Sequence, residues 1–257
     1  MDLTYTQWAM GAGAALLVGI SKTGVPGVGI LVVSMLAAVF GGRHSIGVML
    51  PMLIFADCFA VVWYHRHAQW DKLVGLFLWV VVGLLVGSGA LWIIGESKST
   101  KDVLTPVIGV IVLAMLALHL LQGRLGPHLT PTSRAGVAGT GVLAGFTTTV
   151  SNAAGPIMNI YMAAHRMPKE QFMGTIAWYF LIINVSKVPI YVWLTAVNPA
   201  RPIFTRESLV FNLAIAPAIL VGAFAGKWLL PRVSQKLFNS TVLILAGAAA
   251  LKAILSG

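Results

Sequence analysis

The sequence predicts an all-α, polytopic integral membrane protein of two repeats, each an interrupted or re-entrant helical segment plus three transmembrane helices. Three observations carry this expectation. First, 58% of the 257 residues are hydrophobic, only 9% are charged, and mean hydropathy is +0.89; that composition cannot cover the surface of a water-soluble domain. Second, apolar windows recur at lengths close to the ~20 residues that cross a hydrocarbon core as a helix. Third, two apolar stretches are interrupted at matching places, 19–29 and 145–156, and paired interruptions mark the binding region of many transporters.

The elements follow in order. Region 8–40 is broken by Gly24, Pro26, Gly27 and Gly29. Uninterrupted windows then lie at 45–63, 73–94 and 103–122. A polar, Gly- and Pro-bearing linker at 123–134 separates the expected N-terminal unit, 1–122, from the C-terminal unit, 135–257. Region 135–164 carries the second break, and windows at 173–195, 208–226 and 237–254 complete the chain. Strands of a membrane barrel would be ~10-residue segments of alternating polarity, which these long windows are not. Trp8, Trp63, Tyr64, Trp70, Trp92, Trp193 and Trp228 fall near window ends, as interfacial belts require. Gly83-xxx-Gly87 and Gly222-xxx-Gly226 suit close helix packing.

The opening residues Met1 to Gln7 lack the basic region of a secretory signal, so the first segment is expected to stay in the mature protein. Net charge is +10, yet the basic residues are scattered through short loops, which fits lipid headgroups and not a nucleic-acid patch. Cys58 is the single cysteine and excludes an internal disulfide.

Sliding one half over the other aligns Gly19 with Gly145, Gly47 with Gly174, Asp57 with Asn184 and Gly87 with Gly222, at offsets of 126, 127, 127 and 135. If each broken segment is a hairpin returning to its own side, each half crosses three times and the second is inverted. Nine basic residues, Arg66 and Lys72 among them, then face six on the other side, favouring the first group as cytoplasmic. If each is one kinked crossing, the count is seven against eight and orientation is unassigned.

Ser21-Lys22-Thr23-Gly24 superficially resembles a phosphate loop, but the glycine before the lysine and the preceding strand are missing. Within a membrane, Gly24, Pro26, Gly27 and Gly29 instead unwind the chain, and a half-helix starting near Val28 aims free N–H groups and a positive dipole end into the break. In the second break Ser151 and Asn152 are expected to cap, Gly155 to allow close approach and Pro156 to take the first helical position. Thr23 and Thr149 add hydroxyls. The alternative is that these glycines and prolines serve helix packing alone.

Lys22, Asp57 and Lys187 are ionisable groups within apolar sequence, each costing at least ~2.5–3.5 kcal/mol to insert, so each needs a partner or a cavity. The lysines could hold an anionic substrate, with Asp57 pairing one of them or carrying a coupling proton; an internal Asp57–lysine bridge of purely structural use is the alternative. Asn184 shares the repeat position of Asp57. His65, His67 and His165 assemble no metal-ligand spacing, and no nucleophile elbow or zinc-helix motif is present. Neither metal nor cofactor is expected.

The first break, the basic loop Tyr64 to His67, the Gly-rich third helix and the repetition of the whole pattern resemble the TauE/SafE sulfite exporter family. Matching positions are Gly24, Pro26, Gly27 and Gly29, with Gly155 and Pro156 in the second copy; where family members often carry a triple glycine before Val-Pro, this chain reads Lys22-Thr-Gly-Val-Pro-Gly-Val-Gly29. The resemblance implies a multi-pass protein of the bacterial inner membrane that moves small sulfur anions such as sulfite or sulfoacetate, commonly outward. The residues themselves reach only an anion transporter with paired broken helices. They place substrate contacts at Ser21, Lys22, Thr23, Gly24, Pro26, Gly27, Thr149, Ser151, Asn152, Gly155, Pro156, Asn184 and Lys187, and ion coupling at Asp57. The expected partners are a small anion and the bilayer, no nucleic acid, with a homodimer left open. Another solute, a metal ion, or a membrane enzyme or assembly subunit are the competing readings.

Overall fold

The computed structural model describes residues 4–25, 28–96, 102–125, 133–165 and 167–229, and these are helical apart from caps and short connections. Helices α1 (Tyr5–Thr23) and α2 (Gly29–Phe40) form the first broken segment, followed by α3 (Gly42–Tyr64), a 3-10 turn (His65–His67), α4 (Asp71–Glu96) and α5 (Leu104–Leu125). The second broken segment is α6 (Arg134–Ser151) and α7 (Gly155–Ala164), followed by α8 (Lys169–Val197) and α9 (Arg206–Leu229). The expected helix at 237–254 and most of the linker lie outside the described residues. By length and composition, four of the described helices suffice to cross a membrane: Gly42–His67, Asp71–Gly95, Glu170–Val197 and Arg206–Leu229.

The sequence explains where the broken helices begin and end. A capping box between Thr4 and Gln7 starts α1. The helix stops at Gly24, where any Cβ would collide with the backbone of Gly226 on α9. At the other break Asn152 ends α6 in the left-handed region, φ 57°, a conformation asparagine tolerates better than most side chains.

Each broken segment doubles back. The rings of Trp8, near the start of α1, and Phe40, at the end of α2, both pack on Phe211 near the start of α9, so both ends of the first hairpin lie at one end of the bundle. The second hairpin opens at the opposite end: the Tyr161 hydroxyl, late in α7, donates to the carbonyl of Lys72 at the start of α4 (2.9 Å). Helix α6 starts at that same end, because it runs parallel to α4 with Gly141 against Trp79, Gly145 against Gly83, and Thr149 against Gly87. Full-length helices α3 and α8 pass antiparallel between the hairpins, bringing Gly174 against Tyr64 and Asp57 against Asn184.

Glycine contacts fix the internal equivalence atom by atom. Gly19 abuts Ile219, Gly222 and Ala223 of α9, while Gly145 abuts Val80, Gly83 and Leu84 of α4. Gly226 likewise meets Ile20 and Thr23, whereas Gly87 meets Phe146 and Thr149. Gly222 therefore matches Gly83, and Gly226 matches Gly87, both 139 positions apart. The expected alignment of Gly87 with Gly222 is displaced by one turn, because a glycine every fourth residue looks alike in either register. Gly47 and Gly174 do take matching places, against the carbonyls of Ile203 and Tyr64, which are also 139 apart.

Candidate anion site between the broken helices

The hairpin tips and the middle helices enclose a cavity of about 70 Å³. A buried water needs roughly 10–15 Å³ by this measure, so a small anion fits. The lining is drawn from matched positions of the two halves: Gly29 with Gly155, Lys22 with Thr148, Met49 with Ile176, Leu53 with Phe180, and Asp57 with Asn184. Gly29 and Gly155 are the first residues of α2 and α7. Short helices thus aim their N-terminal ends at one space from opposite directions, and no side chain caps α2.

Asp57 is fully buried on α3. Its Oδ1 lies 2.9 Å from Lys22 Nζ in an ion pair, not aligned as a directed hydrogen bond, and its Oδ2 accepts from Asn184 Nδ2 at 2.7 Å. The Lys22 ammonium also rests 3.8 Å from the centre of the Phe180 ring, an additional favourable site for a cation. Lys22 retains 12% side-chain exposure while Asp57 has none, so the cation is the member of the pair that solvent can reach.

Lys187 has a different role from the one expected. It is fully buried and does not line the cavity. Its three donors go to the Thr148 carbonyl (3.1 Å), the Thr148 hydroxyl (3.0 Å) and Asn152 Oδ1 (2.6 Å). Its amine thereby ties the C-terminal end of α6 together and closes the break. Asn152 in turn donates from Nδ2 to the carbonyl of Ile46 (3.3 Å), tying the tip to α3.

The other expected contacts divide cleanly. Ser21, Lys22, Asn152, Gly155, Pro156, Asn184 and Asp57 line the cavity. Thr23 and Thr149 do not; their hydroxyls return to the carbonyls of Gly19 (3.0 Å) and Gly145 (2.8 Å), and Thr23 also reaches Ala223 O (2.7 Å). Gly24 serves packing against Gly226. Ser151 and Asn152 do not cap α7: the Ser151 hydroxyl donates back to Thr147 O (2.8 Å), and Asn152 terminates α6. Pro26 and Gly27 lie outside the described residues. Sequence reasoning missed Thr148, Asn159 and Phe180. Asn159, a lone amide in the apolar run of α7, carried a readable signal; Phe180 did not, since an aromatic in a membrane helix is ordinary.

The fold is that of a multi-pass membrane protein, with a largely apolar pocket carrying a few polar groups where two discontinuous helices meet. The family profile described as "Sulfite exporter TauE/SafE" matches residues 11–253. The chain belongs to that family. Neither the curated proteins nor the solved structures yield a match.

Proposed function

We propose that this chain is a secondary transporter of small sulfur-containing anions, sulfite or a short organosulfonate, working as an exporter in a bacterial inner membrane. The observation that carries the reading is the convergence of the α2 and α7 N-termini, at Gly29 and Gly155, on the cavity that holds Lys22. The first N–H groups of a helix have no partner within it, and with an ammonium they form an anion cradle. Ser21 adds a neutral donor, and the apolar wall of Met49, Leu53 and Phe180 strengthens each electrostatic contact by excluding water.

Units 1–122 and 135–257 are read as inverted repeats. Hairpins that open at opposite ends, and cavity residues drawn from matched positions, support this reading. Alternating access then consists of one hairpin and its partner helix rocking against the other around a fixed site.

The ion pair supplies a route to coupling. Substrate and the Asp57 carboxylate compete for one ammonium, so an anion engages Lys22 fully only when Asp57 is protonated or turned away. A proton delivered to Asp57 frees Lys22 for the anion; its loss restores the pair and expels the anion. The test is flux of sulfite and sulfoacetate in proteoliposomes, with thermal stabilisation by the same anions. Absence of both flux and anion-dependent stabilisation overturns the reading.

A further inference from the structure

Three asparagines line the central cavity, and two of them are committed elsewhere. Asn152 accepts from Lys187 and donates to the Ile46 carbonyl, and Asn184 donates to Asp57. Asn159, on α7, is different. The residue is 9% exposed, its amide makes no hydrogen bond among the described residues, and neither of its polar atoms is sealed from water. An amide in a cavity wall that is neither bonded nor sealed faces the contents of that cavity. Inside an apolar bundle it must be met by water or by a ligand atom.

Position along α7 sets what this amide can reach. Asn159 lies one turn beyond Gly155, roughly 6 Å of helical rise, and side chains at that spacing share a face and lean back toward the start of the helix. Space is open at that start: a Cβ on Gly155 would meet nothing within 4 Å. Helix α8 adds Met173, Ile176, Ala177 and Phe180 to the same cavity, all apolar. Among the described residues the charged side chains in the lining are Lys22 and Asp57, so a charged head belongs at Lys22 and the helix ends, and Asn159 is left to a neutral polar group. The two halves differ here. Gly155 matches Gly29 at an offset of 126, which pairs Asn159 with Val33 of α2. Val33 is buried and does not line the cavity, so an amide one turn past the break is a feature of this cavity and not of the repeat.

We propose that Asn159 is a specificity-determining residue that hydrogen-bonds an uncharged polar group, a hydroxyl above all, on the tail of a two-carbon sulfonate whose anionic head sits at Lys22. The proposal rests on the central cavity being the anion site. A volume of about 70 Å³ holds roughly five to seven water-sized atoms. Sulfite, with four non-hydrogen atoms, leaves part of it unfilled, whereas a two-carbon sulfonate with a terminal hydroxyl has seven. An amide offers both a donor and an acceptor, so it satisfies a hydroxyl in either sense. A site built to bond a hydroxyl rejects an analogue that lacks one, because its own polar atoms are then left unpaired.

The experiment compares 2-hydroxyethanesulfonate with propane-1-sulfonate, anions of equal charge and equal number of non-hydrogen atoms, by thermal-shift titration of the full chain in phosphatidylcholine nanodiscs. Wild type is expected to bind the hydroxylated anion more tightly. Asn159→Val, which installs the residue of the other half, is expected to shift the ratio of the two affinities about tenfold toward propanesulfonate. Asn159→Ser, which keeps a donor and an acceptor on a shorter side chain, should fall between them. A ratio is insensitive to lost stability, which weakens the response to both anions alike. The same ratio in wild type, N159S and N159V overturns the assignment and leaves the central site standing, as does a response to sulfite with none to either sulfonate. No stabilisation of wild type by sulfite or by either sulfonate removes the central site itself, and the role of Asn159 with it.

Discussion

Asn184 Nδ2 donates to Asp57 Oδ2 at 2.7 Å, joining two fully buried side chains that stand 127 residues apart on antiparallel helices. The pair lies where the two halves meet. One half supplies a carboxylate and the other its neutral near-isostere, so the matched position is a donor and acceptor instead of two repelling charges.

Replacing Asp57 by Asn leaves Lys22 without its counter-ion. Breaking a buried pair from one side typically costs about 3–5 kcal/mol, and partial exposure of Lys22 puts this case at or below the lower end. The double change Asp57→Asn with Lys22→Met should recover part of the loss. Chemical denaturation in detergent measures the cycle, and strict additivity would show that the pair is not coupled. In proteoliposomes, D57N should also lose acceleration by a pH gradient.

Lys187 and Lys22 should differ in what they do to the anion response. Lys187→Met leaves Asn152 Oδ1 without its donor, a loss of about 1–3 kcal/mol, while the Thr148 carbonyl keeps the Asn152 N–H. Folding yield and melting temperature should fall. Lys22→Met strands the buried Asp57 and should also cost stability, whereas Lys22→Met with Asp57→Asn should keep the fold and lose stabilisation by anions. Unchanged anion response in K22M would remove Lys22 from the site.

The glycine pairs give a symmetry test. A methyl on Gly19 or Gly145 meets the carbonyl of Ile219 or Val80, so Gly19→Ala and Gly145→Ala should destabilise by similar amounts, about 3 kcal/mol or more because backbone cannot yield. Gly13→Ala and Gly139→Ala, where nothing lies within 4 Å, should be neutral or slightly stabilising. Melting temperatures of the four proteins decide the matter.

Asp102 predicts acid sensitivity. Burial pushes its carboxyl up, but hydrogen bonds from the Thr105 hydroxyl and from the N–H groups of Gly42, Thr105 and Leu104 outweigh burial and hold it below the usual carboxylate range. A depressed value means that its stabilisation is complete above the unfolded-state pKa of about 3.9 and is lost as pH falls through the lower folded value. The stability difference between wild type and D102N should therefore be constant near neutrality and shrink below about pH 4.

Composition and punctuation alone determined much of this protein. The apolar windows at 45–63, 73–94, 173–195 and 208–226 fall within α3, α4, α8 and α9, and the breaks at Gly24 and Asn152 separate α1 from α2 and α6 from α7. Hydrocarbon tolerates neither stray charge nor unsatisfied backbone, so spans and interruptions are written locally. Asp57, Lys22 and Lys187 were legible as residues needing an account for the same reason. Which lysine meets Asp57 was not legible. Both lie in apolar surroundings, and only the packing of α1, α3 and α8 sends Lys22 to the carboxylate and Lys187 to the end of α6. The glycine register of α4 and α9 was equally undetermined, since a four-residue spacing repeats along a helix and only contact with α6 and α1 selects one turn. Local sequence specifies what each segment must avoid in lipid; the choice among equivalent partners is a property of which surfaces meet.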